Sequence, residues 1–327
     1  MSGARAWRPA LARPARVRLA CRRLTRARLT RLCFAAVLLA SGVGATPAPT
    51  QPAPPPAVRG RRLDADGAVR VWNLVGSVRV VGWARDSVAV VARVGRGGQL
   101  FFGGDLRGVK VGVEAAGDSA PAELELRVPH GAQVWVKTAT APVAVAGLTG
   151  DVELYSVSGA VRVGGRPATL RAESLAGPVD ADDGAEWARV RTSSGAIRVR
   201  GPVGDAELAT VGGTVRLEGR VEQRVRLESV TGAVHFAGPV AGGAALVVDT
   251  HSGDVALAVA PGVALDLLTL TGRVAGGGAG VRAAVRASGR GQAVRTAAPA
   301  GAGRVEVRSF RGTIAVSTPT VGAGGAQ

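Results

Sequence analysis

The chain has 327 residues and a formal net charge of +17, with 41 basic against 24 acidic side chains, 3% aromatic residues and two cysteines. Ten of the basic residues are arginines within residues 1–31, where no acid stands; beyond that segment 31 basic side chains face 24 acids, and the net charge falls to +7. A charge that small gives no ground for a nucleic-acid partner, and with Cys21 and Cys33 both in the first 33 residues the remainder excludes disulfides, thiol catalysis and thiolate metal sites.

The arginine-rich start leads into the apolar run Leu32-Cys-Phe-Ala-Ala-Val-Leu-Leu-Ala40, followed by small residues through Val43 and Ala45. This order predicts a secretory signal peptide over 1–45 with a long basic n-region, cleaved before Thr46. The run is shorter than the roughly 20 residues that a transmembrane helix needs, so no transmembrane anchor is expected. Arg22-Arg23 fits a twin-arginine signal poorly. The expected destination is the periplasm, the cell surface or the medium. Residues 46–60 are proline-rich and read as an extended linker.

A body over 61–319 follows, and its early part, 61–133, reads as irregular rungs of a repeat. Val69, Val71, Asn73, Gly76, Val78 and Val80 set the pattern; strand-like runs follow at 87–94, 107–114 and 124–128, broken by a glycine-rich insertion near 95–105 and a loop at 115–121.

From residue 134 the repeat is regular. A marker, Gly-x-Val-x-Val in its clearest form, recurs at Ala141, Gly159, Gly177, Gly195, Gly213, Gly232, Gly253, Gly272 and Gly312, in steps of 18 to 21 residues. The final step of 40 reads as two rungs of about 20. Two residues after each marker stands a β-branched residue, from Val143 and Val161 to Ile314; seven and five before it stand apolar pairs such as Val134/Val136 and Val225/Leu227. Apolar residues at spacing two mark strands with one buried face, so each rung has two short strands. The prediction is a single-domain, all-β parallel β-solenoid (β-helix) with rungs of 18–21 residues and undetermined handedness, ending in a flexible tail at 320–327. Pro319 would blunt the last edge.

A second column, three residues before the marker, holds Thr138, Ser156, Ser174, Thr192, Thr210, Ser229, Thr250, Thr269 and Ser309. It shares the inward parity of the apolar pairs, which predicts a corner ladder of hydroxyls bonding each other and the turn backbone.

The strand runs, then Leu126-Arg-Val-Pro129-His-Gly131, then Val-x-Val-x-Thr-x-x-Gly rungs resemble the bacterial putative-adhesin β-strand-repeat family, a domain of unknown function. The resemblance spans residues 65 to 317. It implies an extracytoplasmic, adhesin-like solenoid and carries over no functional residue.

No constellation specifies a reaction, and no catalytic, cofactor or metal residue is expected. Asp249-Thr-His251-Ser252 has triad residue types, but His251 falls in the turn column shared with Val157, Leu175, Val211, Val230 and Leu270. Asp180-Ala-Asp182-Asp183-Gly184 and Asp64-Ala-Asp66-Gly67 resemble calcium loops but lack their Gly at position six and Glu at twelve. The column arithmetic instead sets Asp180 beside Arg162 and Arg198, and Asp182 beside Arg200, as charge pairs. Gly276-Gly-Gly-Ala-Gly280 and Gly289-Arg-Gly291 read as loop glycines.

The candidate partner-binding residues are Trp135, Lys137 and Tyr155, expected side by side on an outer face. The competing expectation is a satellite core, with Phe101 and Phe102 folded over that face. The expected function is a non-catalytic cell-envelope structural or interaction module binding an envelope protein or a glycan, with self-association through the solenoid ends as a further route. The alternative is a glycan-active β-helix lyase or hydrolase.

Overall fold

The structure, a computed structural model, describes residues 55–115, 117, 120–276 and 279–318. The segment expected to be a signal peptide (1–45), residues 46–54 of the expected linker, Pro319 and the expected tail at 320–327 lie outside the described residues.

Among the described residues the body is all-β, with strands in two large and mostly parallel sheets of 13 and 14 strands and one short helix, Ala279–Ala284. From Gln133 onward the chain alternates between them. Gln133–Thr138 lies in the larger sheet, Val143–Ala146 in the smaller, Asp151–Ser156 in the larger again, and so on to Val255–Ala258. Each strand pairs in parallel with its counterpart one period away, as Val152 does with Val134 and Leu170, and Val161 with Val143 and Val179. The predicted two-strand rung and its register are therefore observed. The β-branched column is buried at every marker, and so are the apolar pairs. Aliphatic side chains from both sheets meet as one core, in which Phe236 is the only fully buried aromatic among the described residues.

The marker glycines stand between the two strands of a rung, and close stacking explains them. A Cβ on Gly177, Gly195, Gly213 or Gly232 would lie between 1.7 and 2.2 Å from the carbonyl oxygen of the marker one rung earlier. None of these four has a positive φ. Glycine is required here because backbone meets backbone.

The hydroxyl column is buried throughout, and together with Asn73 it makes up all the buried polar side chains among the described residues. Its bonding is uneven. Thr192 Oγ1 donates to the Gly195 carbonyl at 2.6 Å and lies 2.9 Å from Thr210 Oγ1, while Ser156 donates to Gly159 at 2.9 Å. The hydroxyls of Thr138, Ser174, Ser229 and Ser309 have no protein partner. The expected continuous ladder is thus a set of local corner bonds with one hydroxyl-to-hydroxyl link, Thr192 to Thr210, and two bonds to carbonyls of neighbouring rungs, Thr210 to Ser193 and Thr269 to Gly312. Thr192→Val should cost about 1 kcal/mol, whereas Thr138→Val should be neutral or stabilising by about 0.5 kcal/mol, because it removes an unsatisfied buried group. Chemical denaturation of both variants checks the contrast.

Both ends depart from the simple alternation between the sheets. The rung at 68–80 stacks directly on the rung at 134–145, with Val69 opposite Val134, Asn73 opposite Thr138 and Val78 opposite Val143. On its other side Val71 pairs with Val111 and Val80 with Leu126. The glycine-rich insertion is itself a strand, Gly98–Gly104, antiparallel to Gly108–Ala115. Ala57–Arg62, a strand that begins within the proline-rich stretch, pairs antiparallel with Ser87–Val94.

The two successive rungs expected between Gly272 and Gly312 are not there. Arg304–Ser309 instead lies between Ala245–Thr250 and Ala264–Thr269, and Thr313–Ser317 lies between Val255–Ala258 and Arg273–Gly276. The chain lays down the outer rung first, caps it with the antiparallel hairpin Val285–Ser288 and Gly291–Arg295, and returns to fill the gap. First and last rungs are therefore both interior; antiparallel strands stand at three of the four sheet edges, and Arg273–Gly276, parallel to Thr313–Ser317, stands at the fourth.

Asp266 ties this closure together. Its carboxylate accepts from Arg308 of the inserted strand at 3.1 Å and from Arg295 of the capping hairpin at 3.0 Å. The Arg308 bond, aided by Arg295, holds its carboxyl below the usual carboxylate range. A depressed carboxylate contributes stability above its unfolded pKa, near 4, and loses it as pH falls through the folded value. Asp266→Asn should therefore cost about 1 kcal/mol at neutral pH, with Arg295 largely solvated, and progressively less below about pH 4. Melts from pH 7 to pH 3 test this.

Candidate interaction surface

Outward residues of the larger sheet form straight columns, because parallel in-register pairing stacks equivalent positions about 4.8 Å apart. One column runs Trp72, Lys137, Tyr155, Glu173, Arg191; its neighbour runs Arg70, Trp135, Glu153, Arg171, Arg189. The three residues singled out from sequence are accordingly together. Tyr155 stands one rung from Lys137, and its ring centroid is 5.9 Å from that of Trp135. The Tyr155 hydroxyl donates to Glu153, the residue paired with Trp135. That bond, then partial burial and the nearby carboxylates of Glu153 and Glu173, push the phenol up to about 12, so it stays neutral. A shallow cavity of about 440 Å³ lies alongside, between Arg70, Trp135, Asp151 and Glu153.

Phe101 and Phe102 do not form the expected cover. Phe101 packs on Trp72, with centroids 5.6 Å apart, and Phe102 packs against the main core. The satellite aromatic pair is therefore one rung from the expected place. Its sequence signal was Gly112, which faces both Trp72 and Phe101 in the register. A Cβ at Gly112 would lie 1.9 Å from the Trp72 indole.

Several carboxylates on both outer faces are engaged by arginines. In the smaller sheet Asp180 pairs in register with Arg162 and Arg198, and Asp182 binds Arg200 at 2.5 Å. Asp183 accepts from the Gly165 amide at 3.0 Å, so the calcium-like segment is folded around its own partners. In the larger sheet Glu207 accepts from Arg191 at 2.5 Å and Arg189 at 3.2 Å; the Arg191 bond holds its carboxyl below the usual range. Arg226 binds Glu228 and, at 2.9 Å, Asp249.

The triad residue types do not converge. Asp249 faces Arg226, Ser252 Oγ donates to the Val230 carbonyl at 3.3 Å, and the His251 ring stacks on Phe310 at 4.9 Å, parallel to within 5°. His130 Nδ1 donates to the Gly147 carbonyl at 2.6 Å and tethers a loop. His235, on the smaller sheet, is lowered by partial burial and then by Arg216. Gly289-Arg-Gly291 turns the capping hairpin, with Gly289 at φ +58°.

The residue after each hydroxyl forms a further column at the exposed corner. It holds Leu74, Val157, Leu175 and Val211, then Val230, His251, Phe310 and Leu270, interrupted by Ala139 and Ser193. Its backbone is stacked as tightly as the sheets: the Leu175 amide donates to Ser156, His251 to Ser229, and Phe310 to Thr250. The aliphatic members and Phe310 remain 43 to 59% exposed. Between this ridge and the outer face lies a groove of about 670 Å³, lined by Ala209, Val211, Val230, His251, Leu268 and Phe310 among others. The turn column was visible in sequence; that its side chains are left exposed beside a groove was not.

No family model and no curated protein matches the chain. Similar solved structures include a "putative adhesin" from Bacteroides fragilis NCTC 9343, 9% identical, covering 80% of this chain and 96% of that one with a TM-score of 0.42. Another "putative adhesin", from Parabacteroides merdae ATCC 43184, is 12% identical over 80% of this chain and 96% of its own, with a TM-score of 0.37. A "putative lipid binding protein" from Parabacteroides distasonis ATCC 8503 is 10% identical over 81% and 95%, also at 0.37. Two of these three structures are named putative adhesins.

Proposed function

We propose that the chain is an exported, non-catalytic and adhesin-like interaction module of the cell envelope, whose two sheets are the broad faces of a parallel β-solenoid. The alternation of successive strands between the sheets supports the solenoid. The observation that carries the non-catalytic reading is the state of the carboxylates. Glycan cleavage needs paired carboxyl groups free to exchange protons or attack a sugar. Here Asp182, Glu207, Asp249 and Asp266 each bind arginine, and Glu207 and Asp266 are held further into the ionised range. Every fully buried polar side chain described is a neutral corner group. Arginine-paired carboxylates, half-buried aromatics and an apolar ridge together make an outward surface that suits contact rather than chemistry.

The test is incubation of the purified chain with acidic and neutral polysaccharides. No new reducing ends or unsaturated products are expected. Product formation, abolished by substituting one of these carboxylates, would overturn the proposal in favour of the glycan-active alternative.

A further inference from the structure

We propose that the corner ridge is a self-association surface, on which a second copy of this chain docks ridge into groove. The inference does not depend on what else the module binds. It rests first on area. Seven ridge side chains that are 43 to 59% exposed offer on the order of 600 Å² of nearly continuous apolar surface, the upper range for a monomer. Two such ridges would bury about 1,200 Å², the lower bound of a stable interface, before any contribution from the groove walls.

Period supplies the second argument. Ridge side chains stand one per rung, about 4.8 Å apart. An extended peptide repeats its side chains on one face about every 6.7 Å and falls out of step within a few contacts. A second copy has the same spacing by construction. A two-fold axis along the stack would bring identical side chains head to head at one height. A two-fold perpendicular to the stack reverses the partner and lets its side chains fall half a rung between those of the first copy. The predicted dimer is therefore antiparallel and isologous.

Charge supplies the third. The groove wall carries Arg191, Glu228, Asp249 and Arg308. Within one copy Arg191 is engaged by Glu207, Arg308 by Asp266, and both Glu228 and Asp249 by Arg226. A neutralised wall neither repels an identical partner nor leaves a charge that an ionic ligand would be needed to satisfy.

The experiment is sedimentation of the purified chain alongside a Leu175→Glu/Val230→Glu variant, whose charges sit three rungs apart on exposed corners, and a Leu175→Ser/Val230→Ser variant that keeps the charge unchanged. The wild type should sediment as a dimer at about 10 µM, the charged variant should dimerise at least about 100-fold more weakly, and the serine variant should be intermediate. Far-UV circular dichroism and melting should match wild type in the serine variant, so a folding failure of the charged one leaves the test intact. A wild type that stays monomeric at about 100 µM overturns the proposal, also when it floats with phosphatidylglycerol vesicles and so assigns the ridge to lipid. Variants that dimerise as tightly as wild type overturn it too.

Discussion

Ile197→Asp is expected to unfold several rungs at once, with a loss of at least about 4 kcal/mol. Ile197 is 1% exposed and lies in register between Val179 and Val215, inside the aliphatic layer shared by both sheets. A carboxylate there has no cation or amide within the core to receive it, so it must either carry a proton or open the stack. Each rung is stabilised by its neighbours, so the damage should spread, and hydrogen exchange should report lost protection on both sides of residue 197. The adjacent Arg198 faces outward beside Asp180, and Arg198→Ala should change stability by no more than about 0.5 kcal/mol. A small effect at both positions would mean that the inward register is wrong.

Gly213→Ala should cost about 3 kcal/mol, while Gly212→Ala one residue earlier should be neutral or slightly stabilising. The two glycines are adjacent in a turn and nothing in their composition separates them. A Cβ at Gly213 would lie 2.0 Å from the Gly195 carbonyl oxygen and 2.6 Å from its carbon, both backbone atoms locked in the next rung. A Cβ at Gly212 would meet nothing nearer than Thr231 Oγ1 at 3.7 Å. Only the first substitution forces two rungs apart. Equal melting temperatures for the two variants would refute close stacking as the reason for the marker glycine.

Between Gln133 and Ala258, sequence alone determined the strands, their inward parity, the inter-rung register and the burial of the hydroxyl column. The reason is that an 18- to 21-residue period translates each position onto its equivalent, so contacts between rungs are written as columns in the chain. The outer ion pairs Asp182–Arg200 and the contact of Tyr155 with Lys137 were legible on the same ground. The Trp135–Tyr155 neighbourhood followed from that register, but the packing of Phe101 on Trp72 did not, because Gly98–Gly104 joins the sheet as an antiparallel strand outside the period.

The tertiary structure alone decided where the terminal rungs go. Residues 68–80 and 304–317 obey the column pattern and would fit many levels of the stack equally well, so periodicity cannot order them. Their levels follow from which neighbours remain unpaired. Antiparallel strands occupy three of the four sheet edges, and the first and last rungs occupy the interior gaps where both of their hydrogen-bonding sides are met. The same holds for the corner ridge. A column of aliphatic residues after the hydroxyls is plain in the sequence, but only the assembled stack leaves it uncovered, because no segment of the described chain folds back across that corner.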